Sequence, residues 1–129
     1  MSTNVTIVGA AFPSFYLKDY QEAIEFYTKV LGPPENVDVE GGIHGWRLGN
    51  TWLTLFPSSI GSNPDTNVAN GEFAIQVAAK DDVDRLYQRF LDNGAKTCMP
   101  PEDTEMYDPM RFSCVDDPFG IRVDIYAPL

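Results

Sequence analysis

The sequence predicts an α+β fold made of two copies of one strand–helix–strands unit (βαβββ), with sheets curving around a small-molecule cleft. Three observations lead there. Two amphipathic helical patterns lie about 63 residues apart, a short strand-like run precedes each, and three further strand-like runs follow each. A helix of that length covers one face of a four-stranded sheet and leaves the other face for a different task.

The first helix is read from Tyr20, Ala23, Ile24, Tyr27, Val30 and Leu31, which recur at three- and four-residue spacing. Asp19 precedes it as an N-cap candidate with Glu22 three residues on, and Gly32-Pro33-Pro34 ends it, giving a helix near 19–31. Val83, Leu86, Tyr87, Phe90 and Leu91 repeat the pattern, with Asp81 or Asp82 as cap and Asn93-Gly94 as stop.

The strands before the helices are Phe12 to Leu17 and Glu72 to Val77. In the first half, Val37 to Glu40, Ile43 to Leu48 and Thr51 to Phe56 follow, joined at Gly41-Gly42 and Gly49-Asn50 by tight turns. In the second half they are Lys96 to Met99, Met110 to Val115 and Ile121 to Tyr126, the last after an Asp117-Pro118-Phe119-Gly120 turn. The acidic, proline-rich stretch from Pro100 to Pro109 reads as a loop. The expected organisation is a single domain, 1–129, of two modules, about 10–57 and 71–127, with a polar linker at about 58–70. Val5 and Ile7 suggest an additional N-terminal strand.

Side chains alternate across a strand, so faces can be assigned before partners are known. Phe73, Ile75 and Val77, Leu53 and Leu55, and Val123 and Ile125 form the helix-side core. The opposite faces carry Glu72 with Gln76, Trp52 with Thr54 and Phe56, and Arg122 with Asp124 and Tyr126. A sheet can turn a polar face to water, yet this set of rings and acids matches a ligand-pocket lining, where apolar walls bury the ligand and a few polar groups orient it.

A formal net charge of −10 in 129 residues repels phosphate backbones and anionic lipids, so neither nucleic acid nor membrane is an expected partner. Solubility alone accounts for much of such a charge, and attraction of a cationic ligand is the functional reading. The chain has no apolar run long enough to span a bilayer and no secretion-signal pattern at its start, so the expected location is cytoplasmic. Cys98 and Cys114, its only cysteines, are too few for a disulfide framework and read as reduced thiols in strands.

The run Phe15-Tyr16-Leu17-Lys18-Asp19 through Ala23-Ile24-Glu25-Phe26-Tyr27 to Leu31-Gly32 closely resembles the first module of the vicinal-oxygen-chelate superfamily of glyoxalases, bleomycin-resistance proteins and extradiol dioxygenases. Asp117-Pro118-Phe119-Gly120 and the strand after it look like the closing motif of that family. The resemblance implies paired modules forming a curved, mixed eight-stranded sheet around a cleft, commonly in a homodimer. It also implies four metal-ligand positions, which fall here on Phe12, Thr54, Glu72 and Asp124.

Those residues suit a metal poorly, because Phe12 has no donor atom, Thr54 is a weak neutral ligand, and only Glu72 and Asp124 bring carboxylates. The reading favoured by the sequence is therefore a metal-free binding protein with no cofactor that sequesters a cationic or aromatic compound, as bleomycin-resistance proteins do. Glu72 and Asp124 would anchor the ligand, Phe12, Trp52 and Phe56 would supply stacking surface, and Thr54 would line the site. In that family the matching segment often lies over the cleft mouth, and the resemblance thereby makes Tyr107 and Arg111 further candidates for ligand contact. The alternatives are a metal-dependent lyase or dioxygenase with an atypical ligand set, and a domain serving chiefly as an interaction partner. His44, the lone histidine, is a candidate proton shuttle with no nucleophile beside it in sequence.

Overall fold

The computed structural model of the chain describes residues 5–38, 40, 42–105 and 108–129, so Val39, Gly41 and Tyr107 of the sequence reading lie outside the described residues. The first module runs β1 (Ser14–Leu17), α1 (Tyr20–Leu31), β2 (Asn36–Asp38), β3 (Ile43–Leu48) and β4 (Thr51–Pro57). After a one-turn 3-10 helix at Ser58–Ile60, the second runs β5 (Gly71–Gln76), α2 (Lys80–Asp92), β6 (Lys96–Glu105), β7 (Pro109–Asp116) and β8 (Ile121–Pro128). Each module is one mixed sheet with the same topology, β1-β4-β3-β2 and β5-β8-β7-β6. The first strand of each lies parallel to the last, and the remaining neighbours are antiparallel.

The eight strands hydrogen-bond as two four-stranded sheets, not as one continuous sheet. Side chains join the modules: Phe15 of β1 meets Phe73 of β5 with ring centroids 5.8 Å apart, and Phe26 of α1 packs on Phe90 of α2 and on Phe119. The buried apolar residues of both modules form one cluster that includes Leu17, Val30, Leu55, Val83 and Val123. The helix-facing residues predicted by alternation lie in or against this core. None of the helices among the described residues is long and apolar enough to cross a membrane.

Four local expectations need correction. Pro100 and Pro101 do not end the third strand of the second module; β6 continues to Glu105. It is an edge strand, where a missing N–H costs no ladder bond, and its register shifts between Met99 and Glu102 accommodate the prolines. The residues before β1, including Val5, Ile7 and Phe12, form no strand, and Val5 and Ile7 are over four-fifths exposed.

Asp19 stands at the N-cap of α1 without capping it. Its carboxylate accepts from the Asn67 side chain at 2.7 Å while its N–H donates to Asn67 Oδ1 at 3.0 Å, so the linker claims what the helix would have used. In α2 the cap position falls on Ala79, and Asp82 reaches back to accept the Ala79 N–H at 3.1 Å, half of a capping box.

Candidate functional site

The antiparallel register of β7 and β8 pairs Cys114 with Asp124 and Phe112 with Tyr126. The parallel register of β5 and β8 pairs Ala74 with Asp124 and Glu72 with Arg122. Directly paired residues share a sheet face, so Glu72, Asp124, Cys114, Phe112 and Tyr126 all stand on the side away from α2. They line a cavity of about 400 Å³ together with Met99, Met110 and Cys98. Its walls are mainly thioether, aromatic and methyl groups, and its acids come from β5 and β8. The alternation Met110, Phe112, Cys114 was available in the sequence as a signal for three of these residues.

Asp124 is half-buried and Glu72 exposed. Burial, then the hydrogen bond and charge of Glu72 beside it, push the Asp124 carboxyl up to about 6, against a smaller opposing pull from Arg122. Arg122 also lines the cavity, but its guanidinium is directed to Asp116, with Nε 2.8 Å from Oδ1. The acids therefore face a cavity whose one cation is already matched. Tyr126, which lines the cavity, donates from its hydroxyl to Gln76 Oε1 at 3.1 Å.

Cys98 and Cys114 are joined by a disulfide, contrary to the reduced pair expected from the sequence. The reason is tertiary: the register shift next to Cys98 sets it opposite Cys114 with Cα atoms 5.1 Å apart, within the range a disulfide can bridge. Cysteine count and spacing carry no information about that pairing.

The remaining candidates divide. Trp52, Thr54 and Phe56 share the equivalent face of the first sheet, as predicted, yet none of them lines the 400 Å³ cavity. Trp52 lies under the Arg47 guanidinium, 5.4 Å from ring centroid to carbon. Phe56 stacks on Tyr16 at 4.9 Å and 13°. Thr54 is buried and pairs with Ser14, so Ser14 is the β1 residue beside it, while Phe12 lies ahead of the strand and is 55% exposed.

Arg111 points to the helix side of β7, opposite Met110, Phe112 and Cys114. Its Nε donates to Asp84 of α2 at 2.7 Å and its Nη1 to Asp103 at 2.9 Å. The structure thus separates Arg111 from the acid pair. His44 also lies on the helix side, opposite Leu55. Its Nδ1 is 2.6 Å from the Tyr20 hydroxyl, which donates to the Gly42 carbonyl, and burial lowers its pKa. A packed, tied histidine is the outcome here.

Among the described residues, no group of three or more His, Cys, Asp and Glu side chains is placed to hold a metal ion. The family's ligand positions on this chain offer two carboxylates, one hydroxyl and one phenyl ring, a donor set that does not fit a tetrahedral or octahedral transition-metal site. Two larger depressions, of about 740 and 660 Å³, open beside the linker and beside the β3–β4 turn. The first has no charged lining residue, and neither contains the acid pair.

Topology, register and this face define the class. The chain belongs to the Glyoxalase/Bleomycin resistance protein/Dioxygenase superfamily, whose family model matches residues 9–125. Solved structures share the fold at low identity. A glyoxalase/bleomycin resistance protein/dioxygenase from Nocardioides is 19% identical with a TM-score of 0.72, over 98% of this chain and 87% of its own. A glyoxalase/bleomycin resistance protein from Albidiferax ferrireducens T118 is 16% identical with a TM-score of 0.76, over 92% and 98%. A lactoylglutathione lyase from Agrobacterium tumefaciens is 20% identical with a TM-score of 0.71, over 95% of each chain. No curated protein matches the chain.

Proposed function

We propose that this protein binds a small cationic or aromatic compound in the cavity of its second module, directly and without a metal, and sequesters it. One observation carries the reading: Glu72 and Asp124 stand side by side at a cavity walled by Met99, Met110, Phe112 and Tyr126. A delocalised organic cation suits such a site, since the acids supply charge and hydrogen-bond acceptance while rings and thioethers replace its hydration shell. The net charge of −10 adds long-range attraction for the same ligands. Resistance to a toxic cationic compound in the cytoplasm is the role this chemistry serves best.

A homodimer is part of the proposal. In one chain the cavity is walled only by the second module, and Trp52, Thr54 and Phe56 remain apart from it; a second copy can bring that aromatic face over the acids.

The test is fluorescence and calorimetric titration with ethidium and tetraphenylphosphonium, with an anionic aromatic sulfonate as control. Saturable binding of the cations that weakens at least about tenfold in Glu72→Gln/Asp124→Asn supports the reading, about 1.4 kcal/mol being the loss of one charge-assisted contact. Absence of saturable binding, or equal binding by the double variant, refutes the anchor assignment. Stoichiometric zinc, nickel, iron or manganese in protein purified without chelator or affinity metal would instead favour a metal-dependent lyase or dioxygenase.

A further inference from the structure

We propose that the Cys98–Cys114 disulfide is a thiol-exchange site inside this cavity, whose acid pair selects cationic thiols over anionic ones. The proposal rests on the preceding reading of Glu72 and Asp124 as cation-selecting groups. It adds a reactive bond to them.

The bond is placed for reaction. It joins the edge strand β6 to β7 on the open face of the sheet, and both cysteines line the cavity. Cys98 is half-buried and Cys114 is 3% exposed, so Cys98 Sγ is the sulfur an incoming group reaches. Strand pairing between β6 and β7 continues on both sides of the bond, from Lys96 to Glu105, so opening it leaves the sheet held by its ladder.

The neighbourhood sets the selectivity. Asp124 is the direct cross-strand partner of Cys114, and Glu72 adjoins Asp124. Arg122, the one cation lining the cavity, is matched by Asp116. An attacking thiolate carrying a carboxylate arrives as a dianion and is repelled, while one carrying an ammonium arrives neutral overall and places its cation on the acids.

The exchange balances. The thiolate R–S⁻ attacks Cys98 Sγ, forming a mixed disulfide and expelling the Cys114 thiolate, which takes a proton from water. A second thiolate then attacks the mixed disulfide, releasing R–S–S–R and the Cys98 thiolate. Two thiols are oxidised and one disulfide is reduced to two cysteines.

The experiment compares cysteamine with 3-mercaptopropionate on the native protein, at equal thiolate concentration. Opening is trapped by N-ethylmaleimide and read by mass, and each rate is normalised to that with a small neutral disulfide. The expected result is a preference for cysteamine of about tenfold or more at low ionic strength. It should collapse toward unity in 1 M salt, which shortens the screening length to about 3 Å, and in Glu72→Gln/Asp124→Asn. The single variant Asp124→Asn, which should reduce the preference in the same direction, keeps the test decisive if the double variant folds poorly.

A bond unreactive to every thiol until the protein unfolds overturns the proposal. A ratio near unity, or one unaffected by salt and by the double variant, overturns it as well. Ethidium binding that depends on the acids alongside charge-blind exchange would sink this inference alone; loss of both dependences would sink the anchor reading beneath it.

Discussion

Asp124 lies directly opposite Cys114 across the antiparallel β7–β8 pair, so a carboxyl group and a disulfide stand side by side in one row of the sheet. The row runs from Cys98 on the edge strand through Cys114 and Asp124 to β5, where Ala74 pairs with Asp124 and Glu72 closes in from the neighbouring position. A small alanine in that row leaves room above the sheet for a ligand. The face is thus chemically graded, from sulfur at one side to carboxylates at the other.

The Asp124 carboxyl links pH to both stability and binding. Unfolded, it titrates near 3.8; in the native protein it is raised to about 6. Between those values the native state holds the proton the unfolded state has lost, so the contribution of Asp124 to stability is fully present below about pH 4 and is lost as pH rises through about 6. Asp124→Asn should remove that falling segment from the urea midpoint measured against pH. Ethidium affinity should move the other way, strengthening as pH rises through about 6 and the carboxylate forms.

Tyr27 and Asp117 form a buried hydrogen bond between the modules, the hydroxyl donating to Oδ2 at 2.6 Å. Asp117 also accepts the N–H groups of Phe119 and Ile121 at 2.8 Å each, which shapes the closing turn. Tyr27→Phe should cost about 1.5–3 kcal/mol, the range for a hydrogen bond to a charged group, measured by urea unfolding. Asp117→Ala should cost more, because three donors lose their acceptor.

Gly120 ends that turn with φ of +94°, and a Cβ there would lie 1.9 Å from the Val68 carbonyl oxygen. Gly120→Ala is expected to lose about 1–3 kcal/mol from the backbone conformation, with a further loss from displacing the linker. A melt unchanged within one degree would show that the turn and linker separate freely.

Arg111 supports the second module from its helix side through Asp84 and Asp103, which hold its guanidinium in the charged form. Arg111→Ala should lower the urea midpoint, and the difference should shrink with salt. Ethidium titration of the folded variant should match that of the parent protein. Weaker binding would return Arg111 to the site.

The sequence by itself determined the repeat, both helices, the position of every strand to within a few residues except the extended β6, and which face of β4, β5 and β8 meets the core. Hydrophobic periodicity is a local property, and Leu53, Leu55, Ile75, Val123 and Ile125 declare it without their partners. The Asp-Pro-Phe-Gly turn was likewise legible, because Asp117 and Gly120 meet local demands for an acceptor and a positive φ. The tertiary structure decided what depends on register and on long-range competition. It joined Cys98 to Cys114, gave Asp19 to Asn67, turned Arg111 and His44 toward the helices, and gathered Glu72 and Asp124 while leaving Trp52, Thr54 and Phe56 on a separate sheet. Each outcome depends on which strand lies beside which and with what offset, and composition and spacing do not contain that information.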